Sequence, residues 1–293
     1  MQDNLFNRRE FLITVPAVAA AAVPAIAAVN RAYAAEDYGP ANAELTLIVT
    51  DPLAAPLACD CVEGYAQRKY EVLADYLAKE TKKSVRVKWT DDLEGLAKDD
   101  ALSPSIFIGK DSVVRHGAHM LSRVVAPVAL LSDQQGSTTQ KGMFVVRSKN
   151  TASSILDLDG FDIFFGPEAC DEKYLAPISK LKEADLSFQI AEICDTCSVA
   201  AKKLLEISDD TKQAAVISSY AEPLLLGCGN IKQGDLRVVA SSEEVPFVGA
   251  FVDSSVPKDL RVAIKLALLK TRSQVDVVTS LQSKSGFVPY EFV

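Results

Sequence analysis

The sequence predicts an α/β protein of two lobes, each built on a mostly parallel sheet flanked by helices. β-rich runs alternate with helical segments along nearly the whole chain, which is typical of parallel sheets. An apolar run over 142–147 indicates a crossing from one lobe to the other. The segment 161–174 then reads as a strand, a Gly/Pro turn and a helix start. This order presents a loop at the carboxyl end of a strand, where open α/β sheets bind ligands.

The first 34 residues predict an export signal rather than a part of the fold. Asn7–Leu12 carries two consecutive arginines and precedes an Ala/Val-rich run over 13–29, and Ala32-Tyr33-Ala34 is a cleavage site of small residues. An uncleaved membrane anchor is the alternative, but Pro16 and Pro24 interrupt the run and make it a weak span. We therefore expect a periplasmic protein exported by a twin-arginine-type signal, with the mature chain starting after Ala34.

Composition bounds the class of protein. The chain has 293 residues, 48% of them hydrophobic, which is enough for two α/β lobes with their own cores. The formal net charge is −8 and no run of basic residues is present. A basic patch is the footprint of nucleic-acid binding, so nucleic acid is excluded as the expected partner.

The predicted elements divide into two sets. Lobe I is predicted to comprise 35–141 plus 241–293, and lobe II 142–240, with the ligand cleft between them. Helical and strand periodicity predicts the elements of lobe I at 44–50, 70–79, 85–89, 93–98, 105–108, 258–270 and 275–280. The same reasoning predicts those of lobe II at 161–165, 171–184, 188–193, 198–207, 214–218 and 221–226. Asp111 or Ser112 is expected to cap the helix after 105–108, and Arg68 is expected to be a helix-face charge.

Several segments, in this order, carry a resemblance to a known family: Tyr70–Leu77 before Val85–Val87, Gly142–Ser148, Asp157–Gly160, Gly166-Pro167-Glu168 before a helix, Val245-Pro246-Phe247 and Val256–Leu260. In order and spacing they resemble the phosphate/phosphonate-type periplasmic solute-binding proteins of ABC importers, which have the type II periplasmic-binding-protein fold. The resemblance covers nearly all of the mature chain. It implies two lobes that close over a small ligand, a permease partner in the inner membrane, and no enzymatic activity.

The stretch Cys170-Asp171-Glu172-Lys173 departs from that family's pattern. Its members typically place Ser, Thr and Gly at this helix start, where hydroxyls, backbone N–H groups and the positive helix end hold an anion. Asp171 and Glu172 are instead acidic and would cap the helix. They would compete with an anionic ligand for the same donors and repel it, by roughly 1 kcal/mol at about 4 Å even in water. The fold therefore carries over, whereas phosphate or phosphonate as the ligand does not follow.

The remaining polar candidates follow predicted strands or lie in the crossing. The expected ligand-binding residues are Tyr65, Lys110, Ser112, Ser137, Thr138, Thr139, Gln140, Asp171, Glu172, Ser218, Ser219 and Tyr220. Each could equally be a loop or capping residue. No Gly-x-Ser-x-Gly, phosphate loop or dinucleotide fingerprint is present in the sequence, and no catalytic residue is predicted. We expect a monomer that binds a small polar solute and needs no cofactor.

The six cysteines leave an alternative open. Cys59, Cys61, Cys170, Cys194 and Cys197 follow predicted strands at the cleft edge, and Cys228 follows a short helix. In an oxidising periplasm they are first interpreted as disulfides. The spacing Cys194-x-x-Cys197 also suits a soft metal or a redox site, although Asp195 and Glu192 would stabilise the protonated thiol. A periplasmic metal-binding or thiol-redox protein is thus the second hypothesis.

The two histidines, His116 and His119, are three apart on a predicted helix, so their side chains share one face. Two ligands do not make a metal site. We expect a solvated helix face.

Overall fold

The computed structural model describes residues 37–58, 66–96 and 105–291. The predicted export signal, Tyr65, Cys59 and Cys61 lie outside the described residues. Two large sheets and a short two-stranded ribbon lie within one compact unit, Ala34–Val293. The predicted two-lobed α/β architecture is therefore confirmed, with one large sheet in each lobe.

The elements follow each other in the alternating order that the sequence predicts. The strands are β1 (Leu45–Thr50), β2 (Val85–Trp89), β3 (Ser105–Lys110), β4 (Val125–Leu131), β5 (Thr139–Gln140), β6 (Gly142–Arg147), β7 (Phe161–Phe165), β8 (Phe188–Ile193), β9 (Gln213–Ser218), β10 (Leu236–Ser241), β11 (Val245–Pro246), β12 (Val248–Asp253) and β13 (Phe287–Pro289). The α-helices are α1 (Tyr70–Thr81), α2 (Leu93–Leu96), α3 (Asp111–Met120), α4 (Leu175–Glu183), α5 (Cys197–Leu205), α6 (Ala221–Gly227), α7 (Lys258–Lys270) and α8 (Val275–Ser280). No helix in these described segments is both long enough and apolar enough to span a bilayer.

The first sheet has six strands in the order β13-β4-β12-β3-β1-β2. β1 pairs in parallel with both β2 and β3, whereas β12 runs antiparallel to β3 and β4, and β13 antiparallel to β4. Four of its strands (β1 to β4) therefore point the same way. Because β12 and β13 return from the end of the chain, the sheet is mixed rather than wholly parallel.

The second sheet has five strands in the order β10-β6-β9-β7-β8. β7 pairs in parallel with β8 and β9, and β6 runs antiparallel to β9 and β10. Only β6 opposes the other four strands. The prediction that 142–147 crosses between lobes is wrong, because these residues form β6 and lie inside the second sheet.

Strict alternation along the buried strands gives each sheet a core on both faces. In β6, Met143 and Val145 pack with α5, whereas Phe144 and Val146 pack on the opposite face. In β3, Ile106 and Ile108 join the core beneath α7, and Phe107 joins the smaller core beneath α3. Each sheet is thus covered on both sides, which leaves the ends of the strands as the place for a site.

The connection between the two sheets is the two-stranded ribbon of β5 and β11. Gln140 pairs with Val245, and Thr139 with Pro246. Both chain crossings therefore run side by side, one outward before β6 and one returning before β12. Short paired segments like these absorb small changes in backbone angle, as a hinge between two lobes requires, and we call β5 and β11 the hinge ribbon.

Two local predictions about helix starts are wrong. Neither Asp111 nor Ser112 caps α3, since its N-cap residue is Lys110 and makes no capping bond through its side chain. The predicted helix 171–184 is broken into a 3₁₀ turn at Asp171–Lys173 and then α4. The tight turn rotates the side chain of Glu172 inward, where it is fully buried.

Candidate functional site

The polar ends of three strands meet between the two sheets. Lys110 ends β3 of the first sheet, and Ser218 ends β9 of the second sheet. Glu172 follows β7, in the 3₁₀ turn before α4. Lys110 donates to Oε1 of Glu172, and the Ser218 hydroxyl donates to the same oxygen at 2.7 Å. We call Lys110, Glu172 and Ser218 the interlobe cluster.

The cluster is an ion pair shielded from solvent. The side chain of Lys110 is 7% exposed and that of Glu172 is 0% exposed. Burial alone would lower the pKa of Lys110 and raise that of Glu172, because it disfavours the charged forms. The opposite charges outweigh burial in both cases, so the pKa of Lys110 lies well above its ordinary value and that of Glu172 lies below its own. Both groups are therefore ionised at neutral pH.

The second carboxylate oxygen of Glu172 is unsatisfied. Oε2 is buried and has no hydrogen-bond partner among the described residues. A buried acceptor of this kind costs about 1–3 kcal/mol relative to one that is bonded. It is the strongest indication that the cluster is built to receive another donor.

A close backbone approach holds the Glu172 turn against the second sheet. A Cβ added to Gly142 would lie 2.0 Å from the Glu172 carbonyl oxygen and 2.8 Å from Cγ of Pro177. Only glycine leaves room here, at the first residue of β6. The start of β6 and the Glu172 turn are therefore in direct contact at this residue.

A stack of cations and rings continues from the cluster into the first sheet. The Lys110 ammonium lies 5.8 Å from the Tyr220 ring centre, and that ring stacks on Phe247 at 4.7 Å. The Arg68 guanidinium lies 5.5 Å from the far ring, Phe247. Such cation–ring contacts favour both cations in a dry environment. Burial is also the main reason that the pKa of Tyr220 is raised, so the phenol stays neutral.

Arg68 is not the helix-face charge that the sequence predicts. Its side chain is 2% exposed and donates to Asp51 at 2.8 Å, and Asp51 also accepts from the Tyr70 hydroxyl at 2.6 Å. Asp51 follows the carboxyl end of β1. Asp51, Arg68 and Phe247 were missed as site residues because their meeting depends on the tertiary fold. The one local signal is Asp51, which directly follows a strand.

The rim of the cluster is acidic. The backbone N–H of Asp171 donates to the Ser112 hydroxyl at 3.1 Å, which is a second contact between the sheets. Burial, followed by the charges of Glu172 and Asp111, raises the pKa of Asp171. Asp111 is paired with Arg115 and accepts from Tyr290 at 2.9 Å. Asp171 thus adds negative charge that no cation directly pairs among the described contacts.

The remaining predicted ligand residues that the structure describes lie in the hinge ribbon or beside it. Ser137 and Thr139 contact each other at 3.2 Å, and Thr139 donates to the Glu244 carboxylate at 2.6 Å. Phe247 N–H donates to the carbonyl oxygen of Thr138. Ser219 receives a bond from the Lys141 N–H at 3.2 Å. Gln140 is buried, with Oε1 unpartnered. Of the predicted set, the structure brings Lys110, Ser112, Asp171, Glu172, Ser218 and Tyr220 together.

The expectation of disulfides is wrong for three cysteines. Cys170, Cys194 and Cys197 carry free, buried thiols. Cys170 accepts from Lys110 at 3.6 Å, and Cys197 accepts from the Ser218 N–H at 3.3 Å, while Cys194 lies in the core beneath α5. The three sulfur atoms thus have different neighbours, and each thiol packs as a small buried side chain. Cys228 is disulfide-bonded.

The thiol and metal hypothesis gains no support from the described residues. Burial, and then the charge of Glu192, raises the pKa of Cys194, as the acidic neighbours predict. Within 37–58, 66–96 and 105–291, no three His, Cys, Asp or Glu side chains are grouped to hold a metal ion. His116 and His119 are exposed on α3, which confirms the solvated face.

Comparisons with known proteins place the chain in a family. Residues 113–291 match the family model described as "ABC transporter, phosphonate, periplasmic substrate-binding protein". That span is more than half of the chain and includes β4 to β13 and the whole interlobe cluster except Lys110. A search of curated proteins finds no match.

Solved structures with the same fold have very different sequences. A Xanthomonas citri protein solved with bound ATP is 12% identical with a TM-score of 0.63, over 85% of this chain and 92% of that one. A binding-protein component of an ABC phosphonate transporter from Pseudomonas aeruginosa is 12% identical with a TM-score of 0.60, over 85% and 82%. A Prochlorococcus marinus protein solved with methylphosphonate is 13% identical with a TM-score of 0.59, over 85% and 93%.

At 12% to 13% identity, the likeness to these solved structures establishes a shared fold only. The family model, in contrast, matches most of the described residues and establishes the family. The predicted resemblance is thereby confirmed at the level of the family. The chain belongs to the phosphonate-type periplasmic substrate-binding proteins of ABC transporters.

Proposed function

We propose that the protein is exported to the periplasm, captures a small polar solute between its two lobes and delivers it to an ABC-type importer in the inner membrane. The observation that carries the proposal is the interlobe cluster itself. Lys110 comes from the first sheet, Glu172 and Ser218 come from the second, and all three lie where strands end. A solute held here would touch both lobes at once, which is how its binding could be coupled to their closure.

The polar groups are suited to binding. Lys110 supplies N–H donors, Ser218 a hydroxyl, and Glu172 an unpartnered carboxylate oxygen. The rings of Tyr220 and Phe247 supply an apolar wall beside them. A few convergent polar groups against an aromatic wall are typical of small-molecule sites. We assign these residues a role in holding a solute and none in chemistry upon it.

Phosphonate is not the solute that these residues favour, although it is named in the family description. The carboxylate of Glu172 occupies the place beside Lys110 and Ser218 where an anion would be held. Asp171 adds a second carboxylate at the rim. An incoming dianion would have to displace one carboxylate and approach another, which is costly in a buried site.

Solute capture is tested on the protein purified from its own compartment, unfolded and refolded to remove bound solute. The expected result is that thermal denaturation against a broad solute panel gives a concentration-dependent rise in Tm for at least one class. The variant Lys110→Met, which keeps the length of the side chain but removes its charge, should abolish that rise, whereas Lys83→Met, at an exposed pair with Glu44, should keep it. If no solute raises Tm and native mass spectrometry of the exported protein shows no bound molecule, capture is disproved.

Delivery and export need separate measurements. Uptake of the captured solute by cells should fall when the chain is deleted and recover when it is supplied again. Recovery should fail for a variant with Arg8→Lys and Arg9→Lys, because the twin-arginine signal would no longer be recognised. Finding that double variant in the periplasm at the normal level would contradict the proposed export route.

A further inference from the structure

The interlobe cluster is electrically balanced, and this limits what can enter it. Lys110 carries one positive charge and Glu172 one negative charge, and the pair is shielded from solvent. A solute that touches both groups has to separate them, because they are now in direct contact. Each charge then needs a new partner, since a buried charge without one is costly.

Three kinds of solute can be compared by which charge in the cluster each would leave without a partner. An anion satisfies Lys110 but leaves Glu172 as an unpaired carboxylate beside it. A cation satisfies Glu172 but leaves Lys110 unpaired. A solute with one group of each sign and no net charge pairs with both residues and keeps the site neutral. Burial of an uncompensated charge is the largest cost among these cases, so the neutral combination is favoured.

The hydrogen-bonding atoms of the cluster also favour a solute with one group of each sign. Oε2 of Glu172 is buried and lacks a donor, which an ammonium group would supply. Nζ of Lys110 and the hydroxyl of Ser218 now donate to one carboxylate oxygen, and they could donate to a carboxylate of the solute instead. The Tyr220 ring, which already faces the Lys110 ammonium, would also favour a second cation.

The acidic rim distinguishes a carboxylate from a doubly charged group. Asp171 lies beside Glu172, and burial, followed by the charge of Glu172, raises the pKa of Asp171. A phosphonate carries up to two charges near neutral pH and offers three oxygens, whereas only Lys110 and Ser218 donate to Glu172 in the cluster. A single carboxylate matches both the charge and the number of donors.

We propose that the solute is a small amino acid, a zwitterion whose carboxylate binds Lys110 and Ser218 and whose primary ammonium binds Glu172. The inference rests on the proposed capture function and specifies its solute class. An amino acid differs from the phosphonate that the family description names. Glu172 would have to move away for a phosphonate to bind Lys110 and Ser218, whereas it binds the ammonium group of an amino acid.

The test is isothermal titration of the refolded, exported protein with matched probes. β-Alanine carries both groups, 2-aminoethylphosphonate replaces its carboxylate, and propionate and ethylamine each keep one group. The protein amino acids and methylphosphonate complete the series. We expect at least one amino acid to bind about tenfold or more tightly than every singly charged probe and every phosphonate.

A variant tests whether the carboxylate of Glu172 binds the solute. Glu172→Gln removes the negative charge but keeps the shape, so it should weaken amino-acid binding at least about tenfold and improve propionate relative to wild type. Glu44→Gln, at an exposed pair, should change neither. If Glu172→Gln fails to fold, the wild-type series still decides.

Two results would overturn the inference while leaving solute capture intact. One is tighter binding of methylphosphonate or 2-aminoethylphosphonate than of any amino acid. The other is capture of a different solute class in native mass spectrometry of the exported protein, with no amino acid bound in titration. The absence of any captured solute would instead disprove the proposed function itself.

Discussion

Lys110 and Glu172 form a buried ion pair that joins the two sheets of this protein through one carboxylate oxygen. Lys110 ends a strand of the first sheet, and Glu172 lies in the turn that follows a strand of the second. The pair is therefore both a structural link and the centre of the proposed solute site. Its two roles can be measured separately, because stability does not require a solute.

Removing one charge of the pair should destabilise the fold. Glu172→Gln leaves Lys110 buried without its counter-charge, and breaking a buried pair in this way typically costs about 3–5 kcal/mol. Urea unfolding should show this loss in the free energy of unfolding. Glu44→Gln is the matched control, since its pair with Lys83 is exposed, and it should leave the urea midpoint unchanged. Equal midpoints for all three proteins would show that the interlobe pair does not form.

The contribution of the pair should depend on pH at both ends of the scale. The pKa of Glu172 is lowered from 4.5, because Lys110 and Ser218 together outweigh the opposing effect of burial. Its contribution is complete above about pH 4.5 and is lost as the pH falls through the lower folded value. The pKa of Lys110 is raised well above 10.5, again against burial, by Glu172. Its contribution is complete below about pH 10.5 and is lost as the pH rises through the higher folded value.

The measurement is Tm against pH for wild type and Glu172→Gln. The difference in Tm should be largest at about pH 5 to 7. It should shrink at more acidic values, as Glu172 is protonated, and at more alkaline values, because burial lowers the pKa of Lys110 in the variant that lacks its counter-charge. A difference that grows as the pH falls toward about 4.5 would mean that the pKa of Glu172 is raised in the fold rather than lowered.

Gly142 should not tolerate a side chain. A methyl group there would lie 2.0 Å from the carbonyl oxygen of Glu172, which is backbone and cannot rotate away. Gly142→Ala should therefore cost about 1–3 kcal/mol, as overpacking of a buried site does. Gly95→Ala is the control, because the atoms nearest to its added methyl belong to the exposed side chain of Asp92 rather than to backbone. Similar urea midpoints for the two variants would place the Glu172 turn elsewhere.

The three buried thiols should be free but unreactive. Cys170, Cys194 and Cys197 are each less than 9% exposed, and burial raises the pKa of Cys194 further from neutral. Peptide mapping after alkylation without reductant should find all three modified in denaturant and largely unmodified in the native protein. A disulfide between Cys194 and Cys197 in protein taken from the periplasm would contradict the structure and revive the redox hypothesis.

The fold was largely predictable because it depends on local patterns. The apolar runs at 105–108, 142–147 and 161–165 are properties of a few neighbouring residues, and all three form strands. The one topological error came from the same run, 142–147. Its apolar pattern fits a buried strand, but sequence alone does not say which strands lie beside it.

The candidate site was predictable only in part. Lys110, Glu172 and Ser218 could be named because each ends or follows a predicted strand, and the carboxyl ends of such strands meet at one edge. That Glu172 faces inward could not be foreseen, since two acids at a helix start also fit exposed caps. Arg68 and Asp51 are 17 residues apart, and their buried contact forms only when β1 and the segment before α1 meet.

The most direct test of the account is a double-mutant cycle on the two partners. The unfolding free energy is measured for wild type, Lys110→Met, Glu172→Gln and the double variant. If the two side chains contact each other across the sheets, the double variant should be more stable than the sum of the single losses predicts, with a coupling of about 1–3 kcal/mol. Single losses that add to within about 0.5 kcal/mol would show that Lys110 and Glu172 are independent, and the interlobe cluster could then not be the solute site.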